Sequence, residues 1–254
     1  MLTILQLPVL NDNYIYLIHD PVSGEAAAVD PALAQPVLDV LEEKGWQLTC
    51  ILNTHHHSDH IGGNLELKQK TGCTIIAAHA DQHRIPGFDH GVGDGDLITL
   101  GKHAIRIIST PGHTSGHIVY HFTEEQALFC GDTLFVMGCG RLFEGTAEQM
   151  WCSLQKLKVL PVATRIYCAH EYTQANGRFA LTVEPGNLQL QQRMTVIDQL
   201  RAKHLPTVPS TIAQELATNP FFREDSWALQ ETIKMVSRKP VEVFAQIRRL
   251  KDNS

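Results

Sequence analysis

Over the first two-thirds of the chain, apolar residues come in short runs of strand length, separated by polar turns. Tyr14–His19 and Ala26–Asp30 flank Pro21-Val-Ser-Gly24, which predicts a hairpin. From Pro36 the apolar positions Val37, Leu38 and Leu41 fall at helical spacing, and Gly45 is the expected stop. A strand at Leu48–Asn53 and a helix near Asn64–Thr71 follow. Further strands are expected at Thr74–Ala78, His103–Ser109, His117–Phe122, Ala127–Cys130 and Arg165–Cys168, with a helix over Ala147–Leu160. Beyond residue 172 the strand signals fade. Ala175–Val183, Leu188–His204, Ser226–Val236 and the end from Pro240 read as helices, punctuated by Pro206, Pro209 and Pro220. The pattern predicts a layered α/β (α+β) sandwich over residues 1–172 and a smaller helical domain over residues 173–254.

Composition narrows the class. A chain of 254 residues, 43% of them hydrophobic, can bury a large core. No run is long and apolar enough to span a bilayer. Met1–Leu10 lacks a basic start and soon meets Asn11-Asp12, so no signal peptide is expected. Six cysteines, without a Cys-x-x-Cys pair, read as buried reduced thiols of a cytoplasmic protein. The net charge of −6 is unevenly spread. Residues 1–172 carry 10 Lys/Arg against 19 Asp/Glu (net −9), and residues 173–254 carry 11 against 8 (net +3). An acidic body argues against a nucleic-acid partner, and the basic tail suits a small anionic substrate.

The chemistry is concentrated in Thr54-His-His-His-Ser-Asp-His-Ile-Gly-Gly63. Imidazole nitrogen and carboxylate oxygen together suit zinc, iron or manganese. In extended backbone, residues i and i+2 share a side, so His55 and His57 can grip one ion while Asp59 and His60 face a second. His56 points the other way and reads as a non-ligand. Three later strand-like runs each end on a potential ligand: His113 in a Pro-Gly turn, Asp132 after Phe129-Cys-Gly, and His170 after Tyr167-Cys-Ala. His117 reads instead as a structural histidine. The seven side chains suffice for two ions sharing one carboxylate.

His-x-His-x-Asp-His followed by a lone His, Asp and His resembles the metallo-β-lactamase superfamily and, within it, glyoxalase II, the hydroxyacylglutathione hydrolases. Thr110–His117, Gly131-Asp-Thr-Leu-Phe135, Gly138–Thr146, Ala169–Thr173, Asn219-Pro-Phe-Phe-Arg223 and Arg248-Arg-Leu-Lys-Asp252 carry the likeness over nearly the whole chain. The resemblance implies a four-layer αββα metallo-β-lactamase sandwich with a smaller C-terminal helical domain. It implies His55, His57 and His113 on one ion and Asp59, His60 and His170 on the other, with Asp132 and a hydroxide bridging them. Asp30 matches a carboxylate that supports the ligand loop.

The activity implied is hydrolysis of S-D-lactoylglutathione to glutathione and D-lactate, in methylglyoxal detoxification. Asp59 and Asp132 are the expected catalytic carboxylates. The cofactors are two divalent ions, zinc in the first instance, with iron or manganese accepted by the same ligands. A glutathione conjugate carries two carboxylates, and the resemblance assigns Arg141, Arg248 and Lys251 to its glycine end, with Tyr172 and Phe143 also in contact. Some relatives have tyrosine where Phe143 stands, so a hydroxyl contact is lost there. A monomer without nucleic-acid or membrane partners is expected. A lactonase or β-lactamase, a nuclease and a non-catalytic module on the same fold are the rival readings. Gly138-Cys-Gly140 is not a dinucleotide loop, because the third glycine is misplaced.

Overall fold

The computed structural model describes all 254 residues, which form two compact units. The first comprises Met1–Ser109 and Gly116–Gly131. Its strands are β1 (Thr3–Val9), β2 (Asn13–His19), β3 (Glu25–Val29), β4 (Gln47–Leu52), β5 (Thr74–Ala78), β6 (His90–Val92), β7 (Leu97–Leu100), β8 (His103–Ser109), β9 (Ile118–Phe122) and β10 (Ala127–Gly131). Its helices are α1 (Gln35–Lys44), α2 (Ser58–Ile61) and α3 (Asn64–Thr71). β1 to β6 lie side by side in chain order, antiparallel through β3 and parallel from β3 onward. Parallel neighbours need a crossover, and α1 and α3 supply two of them. β7 to β10 form an antiparallel meander.

The apolar runs explain this arrangement. Ile15, Leu17, Ala28, Ile51 and Ile75 on one face of the first sheet pack with Val37 and Leu41 of α1 and Leu67 of α3. On its other face Tyr16 meets Phe129 of β10 edge-on, centroids 5.4 Å apart. Tyr120 of β9 donates its hydroxyl to the carbonyls of Asn53 (2.8 Å) and Ile76 (3.1 Å). Strands covered on both faces read as continuous hydrophobic stretches, as β2 does. α1 stops at Gly45, whose φ of 64° is a left-handed cap.

The second unit comprises Thr110–Ser115 and Asp132–Ser254. It contains the short hairpin β11 (Leu134–Phe135) and β12 (Gly138–Cys139), then α4 (Ala147–Lys158), β13 (Arg165–Cys168), α5 (Thr173–Val183), α6 (Leu188–Arg201), β14 (Ser210–Thr211), α7 (Ile212–Thr218), α8 (Trp227–Thr232) and α9 (Pro240–Asp252). Thr146 and Gln149 form a capping box on α4, as do Thr211 and Gln214 on α7. Glu215, fully buried, accepts from the Met137 N–H (2.7 Å), Arg193 (2.8 Å) and Asn219 (2.9 Å). Val243, Phe244 and Ile247 are the buried face of α9, and Phe244 meets Phe221 at 5.6 Å.

Several expectations needed adjustment. β1 and α7 were not anticipated, and the helix expected over Ser226–Val236 is confined to Trp227–Thr232. Lys234 and Ser237 adopt φ of 59° and 62°, outside the helical region. Five of the six cysteine thiols are buried as expected, but Cys152 on α4 is exposed. No helix is long and apolar enough to cross a membrane.

Candidate metal centre

The parallel strands of the first unit end in a row of polar residues: Asp30 after β3, Asn53–His57 after β4 and Asp81 beyond β5. Ligands in open α/β sheets gather at such carboxyl ends. His57 is the extended N-cap of α2, and the short helix turns Asp59 and His60 back toward it. His55 is fully buried and its Nε2 lies 3.0 Å from Nδ1 of His57. The His55 and His60 rings are 4.0 Å apart, and Nε2 of His60 is 3.6 Å from Oδ2 of Asp59.

Asp30 organises this loop from behind. Its Oδ1 accepts the Thr54 N–H (2.8 Å), and its Oδ2 accepts the Thr54 hydroxyl (2.7 Å) and faces Nδ1 of His60 at 3.1 Å. Thr54 has one hydroxyl proton and gives it to Asp30. Its 3.0 Å contact with His55 is therefore filled by the Nδ1–H of that ring. His55 thus turns an Nε2 lone pair inward, the form a metal requires.

Gly131 ends β10 at φ +48°, and a Cβ there would collide with Thr54 and approach His117. His117, buried as expected, stacks on His55 with centroids 4.9 Å apart. His56 turns away to Asp81, its Nδ1 3.3 Å from Oδ2 of that buried carboxylate, which Arg84 also holds.

The second unit supplies its own convergent set. Oδ2 of Asp132 lies 3.4 Å from Nε2 of His113, and Oδ1 lies 3.4 Å from Nε2 of His170. One carboxylate therefore presents a different oxygen to each histidine. His113 Nδ1 donates to the Arg141 carbonyl at 2.9 Å, which leaves the lone pair on Nε2. Tyr172 lies flat on the His170 ring, 4.7 Å away and tilted by 2°.

Within the first unit the donors of His55, His57, Asp59 and His60 crowd one loop, and within the second those of His113, Asp132 and His170 converge. These groups fit a divalent cation. A neutral imidazole lone pair aimed at a carboxylate oxygen is repulsive by itself, and a cation between them reverses the sign. No cysteine belongs to these groups, and burial pushes the Cys168 thiol up to about 12 and that of Cys139 up to about 11.

The expected anion-binding residues differ in exposure. The side chain of Arg141 is 64% exposed, and Phe143 is 62% exposed with its ring 5.1 Å from that of His113. Arg248 is buried. Its Nη1 donates to the Cys139 carbonyl and its Nη2 to Asp252, both at 2.8 Å. Lys251 places Nζ 5.4 Å from the centre of the Phe179 ring; burial lowers its pKa, and the Arg248 and Arg141 charges lower it further. Arg249 pairs with Gln246 on the exposed side of α9.

Three contributors escaped the sequence reading. Asn13 donates to Asp59, Asp81 holds His56, and Glu144 accepts both the N–H (2.7 Å) and the hydroxyl (2.8 Å) of Ser115. Asn13 stands in Asn-Asp-Asn, which reads only as a turn. Nothing local marks the other two.

Comparison with known proteins agrees with this geometry. Residues 11–170 match the model of the metallo-beta-lactamase superfamily, and residues 171–254 match that of the hydroxyacylglutathione hydrolase C-terminus. A hydroxyacylglutathione hydrolase of Methylococcus capsulatus is 57% identical over 99% of this chain and 98% of its own. One of Rhodospirillum rubrum is 54% identical over the same shares. Among solved structures, ETHE1 from Myxococcus xanthus superposes with a TM-score of 0.68 at 24% identity, covering 95% of this chain and 94% of that one, a likeness of fold. The αββα metallo-β-lactamase fold with a helical C-terminal region, expected from the motifs, is thus borne out. The chain belongs to the hydroxyacylglutathione hydrolase family of the metallo-β-lactamase superfamily.

Proposed function

We propose that this protein hydrolyses the thioester of S-(2-hydroxyacyl)glutathione, converting S-D-lactoylglutathione to glutathione and D-lactate in methylglyoxal detoxification. The observation that carries the reading is Asp132, whose two oxygens each face a different histidine, 3.4 Å away. Full-length relatives named for this activity support it. His55, His57 and His113 hold one divalent ion, Asp59, His60 and His170 the other, and Asp132 both. Zinc is the proposed metal, and the same donors accept iron or manganese. When bound, such a pair of ions activates water and stabilises the charge that develops on an attacked carbonyl.

The chain's own residues supply the rest. Asp59 and Asp132 orient the attacking water by its protons. As the C–O bond forms, the C–S bond breaks and the electron pair leaves on sulfur. A thiol pKa near about 8.5 makes that thiolate a competent leaving group without a dedicated acid, and it takes its proton from solvent. Residues 1–172 form the catalytic domain and residues 173–254 the substrate-binding domain. Arg141, Arg248 and Lys251 meet the glycine carboxylate of glutathione, Arg248 with Nη1 already committed to Cys139. Tyr172 and Phe143 line the conjugate. The protein acts as a cytoplasmic monomer.

The test is thioester loss from S-D-lactoylglutathione by the purified, zinc-loaded protein, beside a panel of lactones and β-lactams. Rapid turnover of the thioester alone is the expected result. A fully loaded protein that leaves it intact overturns the reading.

A further inference from the structure

We propose that Asn13 is the positioning residue for Asp59, holding its carboxylate toward the metal centre without neutralising it. The proposal rests on the reading of Asp59 as the ligand of the ion shared with His60 and His170.

Asp59 is one of two members of the seven that are not buried, its side chain 38% accessible, and it lies in the first turn of a helix only four residues long. Neither burial nor helix length fixes its rotamer. Asn13 is buried at the start of β2, paired in register with Val9 across the tight turn at residues 10–12. Its Nδ2 donates to Oδ2 of Asp59 at 3.0 Å and to the Asp59 backbone carbonyl at 3.3 Å. One amide therefore ties both the carboxylate and the backbone that bears it to the rigid β1–β2 hairpin.

The identity of the donor matters. Lysine or arginine at this place would orient the carboxylate equally well but offset the negative charge that a divalent ion needs. A neutral amide orients the group and leaves its charge. Oδ2 accepts the amide hydrogen and also lies 3.6 Å from Nε2 of His60, so the amide aims the carboxylate at the imidazole with which it would share an ion. Partners of this kind set ligand geometry, and their loss weakens metal affinity by about 10–100-fold.

Asn13→Ala removes the donor, and Asn13→Asp keeps the shape while opposing two carboxylates. Zinc titration against a chromophoric chelator resolves the two ions separately. Both variants are expected to bind the first zinc within twofold of wild type and the second at least tenfold more weakly. Excess zinc is expected to restore kcat in Asn13→Ala with KM within twofold. A purely structural role predicts instead a lower melting temperature of the metal-free protein with zinc affinities intact, and that outcome overturns the proposal. Asp59→Ala separates the two readings. If it loses one zinc while Asn13→Ala loses none, the positioning role alone fails. If Asp59→Ala keeps both zincs at wild-type affinity, the reading of Asp59 as a ligand fails and the proposal falls with it.

Discussion

Oδ2 of Asp30 sits 3.1 Å from Nδ1 of His60 while accepting the Thr54 hydroxyl at 2.7 Å. One buried oxygen thereby sets the tautomer of His55 through Thr54 and places its negative charge beside the His60 ring. Asp30 does this at φ 49°, a left-handed conformation that Asp and Asn tolerate better than other side-chain-bearing residues. Asp30→Asn therefore keeps the backbone and isolates the loss of charge. Zinc affinity is expected to fall by about 10–100-fold with an unchanged far-ultraviolet circular dichroism spectrum. Wild-type affinity in this variant would remove Asp30 from the account of tautomer selection.

Glu144 fastens the loop that carries Arg141 and Phe143 onto the His113 loop. It accepts from Ser115 twice, and the Phe143 and Gly145 N–H groups bond to the carbonyls of His113 and Gly112 beside it. These bonds are solvent-exposed, so their loss costs about 1 kcal/mol, or about fivefold in an equilibrium. Glu144→Ala is expected to raise KM for S-D-lactoylglutathione by that factor with kcat within twofold. Steady-state kinetics decide the matter, and an unchanged KM would mean that this fastening does not influence substrate binding.

These contacts also mark how much of the molecule the sequence discloses. Thr54–Gly63 carries four of its donors within six residues, so local spacing is enough to identify it. His113, Asp132 and His170 each stand singly in a loop, and only their common resemblance draws them together. Asn13, Asp81 and Glu144 have partners 46, 25 and 29 positions away along the chain, and no periodicity encodes such pairs. The same holds for secondary structure. β5 and α1 follow from their apolar runs and spacing, whereas β1 alternates weakly and is defined by its ladder with β2. Arg248 differs again: its place on α9 is legible, but its burial against Cys139 depends on a residue 109 positions earlier.

The pair Glu184–Arg223 predicts an acid-sensitive component of stability. Burial alone would raise the Glu184 carboxyl, but hydrogen bonds from Arg223, Ser226 and Asn187 outweigh it and hold the pKa below the usual value. Arg223 donates through Nε and Nη2, both at 2.7 Å. A folded-state pKa below the unfolded one stabilises above the unfolded value and is lost as pH falls through the folded value. Glu184→Gln is expected to cost about 3 kcal/mol at neutral pH, a melting shift on the order of 10 °C. The gap between variant and wild type should close below about pH 4.5. Thermal melts across that range check the sign; a gap that widens on acidification would reverse it.

Arg248 and Lys251 lie three positions apart on α9 and are expected to fail in different ways. The Arg248 guanidinium satisfies the buried Cys139 carbonyl and lies 5.3 Å from the centre of the Phe221 ring. Arg248→Ala leaves that carbonyl without its donor at a cost of about 2 kcal/mol, a fall in melting temperature of about 4–8 °C, and it also raises KM. Lys251 has its ammonium over Phe179, and Lys251→Ala is expected to raise KM with little change in melting temperature. The two measurements on both variants separate support of the fold from contact with substrate. Equal melting temperatures for Arg248→Ala and wild type would show that its bond to Cys139 contributes nothing to stability, and would leave substrate binding as its one role.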